Sequence, residues 1–303
     1  MPCSVSKRLE CTVNIRWAAQ SSSPSKLLKR RRLSIKFRNL QSPKLTCQIQ
    51  FLIPSELHTS MAAASISSDG DVESAGFDYA EIIVIRHGET EWNADGRIQG
   101  HLDVDLNEVG RQQAETVAAR LSKEPKISAV YSSDLKRAHE TAEIIARTCG
   151  GLEVIKDRDL RERHLGALQG VEYHEIAKIN PEAHKAFVSK SLDEEIPVCT
   201  CKITSGGGES LNQLYLRATS CLQKIGEKHK GQRVVVVTHG GLIRALHRRA
   251  TTHHRVGKVV NTSVNVFHLS DGGKWTIKTW GDVSHLSKTG FLKSGFGGDS
   301  NSG

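Results

Sequence analysis

"EIIVIRHGETEWNADGRIQG", residues 81–100, runs from Ile82, Ile83, Val84 and Ile85 straight into Arg86, His87 and Gly88. An unbroken apolar run of this kind predicts a strand covered on both faces, as in a parallel sheet flanked by helices. Ligands of open α/β sheets sit beyond the carboxyl ends of the strands, so Arg86 and His87 stand where a bound group would lie. Gly88 would let the backbone turn sharply and approach a ligand closely. Taken alone, the Arg-His pair fits the solvated cap of a strand equally well.

The pattern recurs in "RVVVVTHGGLIRALHRRA", residues 233–250, where a second β-branched run ends on His239 and Gly240. Two buried strands that each deliver a histidine are harder to dismiss as capping than one. Between them, "LNEVGRQQAETVAARLSKE" predicts a helix on the stripe Val109, Ala114, Val117, Ala118 and Leu121. "KISAVYSS" predicts a strand, and "DLKRAHETAEIIARTCGG" a helix opened by Asp134 and closed by Gly150 and Gly151. "LEVIKD" is a short strand; helices follow over 172–179, over 181–190 and from about Ser210 to His229. "TSVNVFHLS" and "KWTIKTWGD", separated by Asp-Gly-Gly, close the chain as an antiparallel pair. The expected architecture is α/β, a three-layer α/β/α sandwich with a mainly parallel sheet and an antiparallel edge strand. It would occupy residues 77–290, with a glycine-rich tail over 291–303.

The 303 residues, 38% of them hydrophobic, suffice for a real core, and no apolar run reaches the roughly 18 to 20 residues of a membrane span. No membrane partner is therefore expected. Residues 1–60 hold eleven Lys and Arg against two acids, which is the whole +9 of the chain; residues 61–303 hold 31 of each sign. The folded part has no basic surplus to follow a phosphate backbone, so no nucleic-acid partner is expected. Residues 1–76 read as a basic, Ser- and Arg-rich leader and a flexible segment. The composition of residues 1–60 is that of an organelle transit peptide. The competing reading starts translation at Met61, the second of two methionines. The second reading puts the protein in the cytoplasm, which is favoured; the first puts it in a plastid or another organelle. Seven cysteines, odd in number and without a CxxC spacing, read as free thiols, and Cys199 and Cys201 have no second pair with which to hold a metal.

Five segments in this order, "RHGETEWN" (86–93), "SSDLKRAHETA" (132–142), "LRERHLG" (160–166), "GGGES" (206–210) and "VVTHGGLIR" (236–244), resemble the histidine phosphatase superfamily, the phosphoglycerate-mutase-like proteins. The resemblance covers about residues 80–285. Physical chemistry asks for the same parts: a phosphate ester is anionic, so a site must neutralise its oxygens, offer a nucleophile and protonate the leaving alcohol. Arg86 and Arg137 offer planar forks for phosphate oxygens, Asn93 an amide donor, and His239 a further group to share the charge.

The resemblance implies that His87 is the nucleophile, forming a phosphohistidine, and that Glu162 is the proton donor and then acceptor. Gln99, Gly100 and Gly240 would join these residues around the substrate. A histidine of reference pKa about 6.5 is largely neutral near pH 7, and adjacent arginines favour that form; its other ring nitrogen should donate to a backbone carbonyl. A dianionic phosphate beside Glu162 would favour the protonated acid. Neither a metal nor an organic cofactor is required, the expected partner is a small phosphorylated metabolite, and the oligomeric state is open.

Blander readings stand beside these. Arg137 could pair with Asp134 or Glu140 on a helix surface, and Glu162 with Arg161, Arg163 or His164. Gly206, Gly207 and Gly208 could cradle phosphate or form a flexible loop, while Arg244 to Lys258, with His247, His253 and His254, reads as a solvated basic surface. The segment "GRIQGHLDVDLNEVG" resembles the phosphatase branch, whereas glycolytic mutases usually carry an "FTGW" type run at "IQGH". The expectation is a phosphatase acting on a sugar phosphate or phosphoglycerate-like metabolite, with a phosphoglycerate mutase second. An inactive phospholigand-binding scaffold comes third, because Arg86, His87, Arg137, Glu162 and His239 are all present. "VCTCKITS", Val198 to Ser205, departs from the family's run of proline into glycines, and is expected to be an insertion over the mouth of the site.

Overall fold

The computed structural model describes residues 78–198, 207–252, 256–287 and 290; the leader, the tail, His253, His254 and most of the 198–205 segment lie outside them. The first strand, β1 (Tyr79–Arg86), is buried along nearly its whole length. Side chains alternate across a strand. Ile82 and Val84 therefore enter one apolar cluster with Leu214, Leu222, Ile225, Leu242 and Leu246, while Ile83 and Ile85 enter another with Val117, Leu121, Ala138 and Ile145. The continuous apolar run is thus read by two layers of helix. On the first face lie α6 (Leu211–Lys228) and α7 (Gly240–Ala250), on the second α2 (Glu108–Leu121) and α3 (Lys136–Thr148).

The other strands are β2 (Ala129–Ser132), β3 (Val154–Lys156), β4 (Arg233–Thr238), β5 (Val264–Ser270) and β6 (Lys274–Asp282), in the spatial order β3-β2-β4-β1-β5-β6. The first four run parallel; β5 is antiparallel to both β1 and β6. The antiparallel edge is therefore a hairpin pair. A third cluster of Ile98, Leu165, Leu168, Ile176, Phe187 and Ile196 gathers loops beyond the sheet, with the short helices α4 (Ile176–Ile179) and α5 (Pro181–Phe187).

Several local expectations change. Residues 173–175 are a 3₁₀ turn leading into α4, and α5 ends at Phe187 rather than 190. Val109 is 38% exposed, its place toward the core being taken by Gly110. Asp134 does not cap α3, because both its carboxylate oxygens receive the Arg161 guanidinium at 2.6 Å. The free N–H of Lys136 donates instead to Asp103, at 2.7 Å, from a loop 33 residues earlier. Gly88 has a neighbour other than a ligand: a Cβ there would lie 2.9 Å from the Gly110 carbonyl carbon and closer still to its oxygen. The glycine lets the loop after β1 press against α2.

Candidate active site

In-register pairing of β1 and β4 aligns Arg86 with Thr238, and the His87 N–H donates to Thr238 O at 2.9 Å. The next residue of each strand, His87 and His239, is thereby brought side by side, with ring centroids 5.1 Å apart. Both are buried, as are Arg86, Arg137 and Glu162. His87 Nδ1 lies 2.7 Å from Gly88 O; a carbonyl only accepts, so Nδ1 carries the hydrogen and Nε2 the lone pair. Burial first, then the charges of Arg137 and Arg86, hold the His87 imidazole well below the usual histidine range. His239 is held low by burial and then by Arg137.

Arg137 lies in the first turn of α3 and donates from Nη1 to Leu102 O (2.9 Å) and from Nη2 to Gly100 O (2.8 Å). These bonds orient its plane and explain why Gly100 is at the site. The alternative surface ion pairs are taken by others: Glu140 by Arg111 and Asp134 by Arg161. Burial lowers the Arg137 guanidinium to about 10, so it stays charged at neutral pH. Arg86 donates from Nη1 to Val259 O at 2.8 Å. Buried polar groups are normally bonded. Both ring nitrogens of His239, Nε of Arg137 and Oε1 of Gln99 nevertheless lack a partner among the described residues.

Glu162 makes no ion pair with Arg161, Arg163 or His164. Its Oε1 accepts from the Arg163 N–H (2.8 Å) and Oε2 from the Gly241 N–H (3.0 Å), one of the unpaired donors at the start of α7, directly after Gly240. Burial pushes its carboxyl up against those donors and the charges of Arg137 and Arg86. Burial therefore shifts Glu162 toward the acid form before the charge of a bound phosphate adds to the effect.

Asn93, in the one-turn helix α1 (Glu91–Ala94), is buried, and its side-chain oxygen receives Thr90 N–H (3.2 Å), Thr90 Oγ1–H (3.1 Å) and Asn261 Nδ2–H (3.2 Å). In the glycine loop the N–H groups of Gly208 and Glu209 are spent on Ile196 O and His164 O and are not available to an anion. Glu209 receives Arg217 Nε and Nη2; Nη1 donates to the carbonyls of Asp159 and Arg161, and Nη2 also to that of Glu162. His247 is not a solvated surface group: like Arg244 it is buried, and its ring packs 4.4 Å from that of Trp280, because α7 is enclosed through this residue.

Other residues about the site gave no signal in the sequence. Thr141 Oγ1 accepts the Gly88 N–H, one turn beyond Arg137. His101 Nε2 donates to Glu162 O at 2.6 Å, and its own N–H donates to Gln169 Oε1 at 2.7 Å. Asn261 Nδ2 donates to His87 O from 174 residues away. Among the described residues no group of three His, Cys, Asp or Glu is arranged to hold a metal ion. Two neutral imidazoles, two guanidiniums and a protonatable carboxyl in one enclosure suit the binding and transfer of a phosphoryl group.

The model of the histidine phosphatase superfamily (branch 1) matches residues 82–283. "Phosphoglycerate mutase-like protein 4" of Arabidopsis thaliana is 66% identical over 232 residues, 76% of this chain and 97% of that protein. "Metal-independent phosphoserine phosphatase" of the same plant is 54% identical over 233 residues, 77% of this chain and 93% of its own. Among solved structures, Bacillus stearothermophilus YhfR is 32% identical, covering 68% of this chain and 99% of that one, with a TM-score of 0.58.

Proposed function

The chain belongs to the histidine phosphatase superfamily, and from that membership we propose a phosphatase that hydrolyses a small phosphorylated metabolite through a phosphohistidine on His87. The observation that carries the reading is the juxtaposition of His87 and His239, 5.1 Å apart, with buried Arg86, Arg137 and Glu162. In the first step Nε2 of His87 bonds to phosphorus as the bond to the leaving oxygen breaks. That oxygen takes the proton of Glu162. In the second step the Glu162 carboxylate takes a proton from water, whose oxygen displaces His87 and releases inorganic phosphate. Arg86, Arg137 and His239 neutralise the equatorial oxygens throughout.

The substrate we favour is a phosphorylated hydroxy or amino acid such as phosphoserine, because a relative of 54% identity bears a phosphoserine phosphatase's name. The mutase reading shares the first step and differs in returning the phosphoryl group to a second hydroxyl. The test is phosphate release by the full chain from phosphoserine, the phosphoglycerates and sugar phosphates, beside His87→Ala. Release that vanishes in the variant, with a base-stable, acid-labile label trapped on His87 after a denaturing alkaline quench, supports the proposal. Exchange between 2- and 3-phosphoglycerate without release would replace it by the mutase, and neither activity by a binding scaffold.

A further inference from the structure

Asn261 precedes β5 in a turn that the phosphoryl chemistry above does not use, yet it is buried against the loop that carries the nucleophile. Its Nδ2 lies 3.0 Å from His87 O, 3.1 Å from Gly88 O and 3.2 Å from Asn93 Oδ1. An amide nitrogen has two hydrogens, so this one group is shared among three acceptors. One of them, Gly88 O, is the same carbonyl that accepts the His87 Nδ1–H. The next residue, Thr262, donates its N–H to Arg86 O at 3.0 Å and sits at φ +53°. A β-branched residue in the left-handed region is strained and persists only where its surroundings over-determine it. The turn is therefore pinned on the carbonyls of Arg86, His87 and Gly88.

We propose that Asn261 is a positioning residue for the nucleophile: by holding the Gly88 carbonyl it keeps the His87 hydrogen on Nδ1 and leaves Nε2 to attack. The catalytic part of this inference rests on the phosphohistidine route; the tautomer part does not. An aspartate at 261 has nearly the same shape, but ionised it offers no hydrogen to three acceptors, and protonated it offers one. Among the described residues, the titratable groups bonded to the turn are Arg86 and His87 through their carbonyls on the β1 side and, on the other, His285, whose Nε2 lies 3.3 Å from Thr262 Oγ1 and which has Arg120 and Asp282 beside it. An ionised aspartate at 261 would raise the His87 imidazole, whereas Asn261→Ala adds no charge to these groups, so the alanine ratio is the reference against which the aspartate ratio is read.

The experiment compares full-length wild type, Asn261→Ala and Asn261→Asp for kcat and KM between pH 5 and 8, with melting temperatures measured alongside. The expected result is a kcat lowered roughly ten- to a hundredfold in both variants at pH 8, on the scale of a misplaced reacting group, with KM little moved. The Asn261→Asp to wild-type ratio should climb on acidification, as the carboxyl gains its one hydrogen, while the Asn261→Ala ratio stays flat. A wild-type kcat in both variants, or an Asp ratio that ignores pH, overturns the proposal. Nitrogen-15 spectra of the histidines give a readout that needs no turnover and no aspartate variant. Wild type should show His87 protonated on Nδ1 and Asn261→Ala a mixture of tautomers; an unchanged tautomer in Asn261→Ala overturns the proposal. If wild type hydrolyses no phosphoester, the phosphatase reading fails and these spectra still decide the role of Asn261.

Discussion

Gly88→Ala should cripple the protein through packing, with no contact to substrate. The added Cβ would stand 2.9 Å from the carbonyl carbon and 3.1 Å from the Cα of Gly110, and nearer still to its oxygen. Ordinary contact begins at 3.4 Å, so the loop after β1 and α2 must part by more than about half an ångström. Both sides are backbone, and no side chain is free to swing away. Overpacking of this kind costs about 1–3 kcal/mol. For a domain of this size that lowers the melting temperature by roughly 2–12 °C. The loop that moves carries His87 and the carbonyl that sets its tautomer. A misplacement of about 1 Å costs on the order of a hundredfold in rate, so kcat should fall roughly ten- to a hundredfold. Gly110→Ala strains the same boundary from the other side, its Cβ falling 2.6 Å from Glu89 N. The double variant should therefore cost less than the sum of the two, since the second methyl enters a gap already opened. Gly257→Ala is the control: φ is +73° but nothing lies within 4 Å, so it should lose about 1 kcal/mol and no kcat. Calorimetry and steady-state phosphate release measure both quantities. A Gly88→Ala protein with wild-type melting and kcat would refute the claim that α2 holds the nucleophile loop.

On the proposed route Glu162→Gln removes the proton for the leaving group, so kcat on alkyl phosphates should fall by roughly 10²–10⁴ and much less on p-nitrophenyl phosphate. Because burial raises the Glu162 carboxyl, wild-type kcat/KM should fall as pH rises through that raised value; survival of this limb in Glu162→Gln would assign it elsewhere. Burial holds His87 and His239 neutral and lowers His101 and His285 to about 4, so the unfolded chain binds protons that the folded chain refuses. Stability measured in urea should accordingly drop from pH 7 to pH 5, above the carboxylate range; a flat profile would contradict this burial. Gln169→Leu removes the acceptor of the His101 N–H and loosens the loop that orients Arg137, so KM should rise about tenfold, whereas Gln169→Glu keeps an acceptor and should stay near wild type.

Much of the fold was legible because its signals are local. An unbroken β-branched run at 82–85 and again at 234–237 is a statement about two covered faces, and the two helical layers bear it out. The histidine after each run followed from the same reading, since a strand's carboxyl end is set by where its apolar residues stop. What failed locally were caps and surfaces. Asp134 has the composition of a helix cap, but Arg161 claims it, and Asp103 does the capping from another loop. His247 sits in a basic stretch, but α7 is enclosed through it.

From its residues alone the chain determined the order of its strands and helices, the basic excess of residues 1–60, and which side chains could serve phosphoryl chemistry. The spatial order β2-β4-β1, which seats His239 beside His87 across some 150 residues of chain, belongs to the tertiary structure. So do the Gly88–Gly110 contact, the raised Glu162 carboxyl and the reach of Asn261 to the nucleophile. Periodicity records only which faces of an element are apolar. Burial, a shared hydrogen and a shifted proton affinity depend on partners distant along the chain, and these acquire positions only when the layers close on one another.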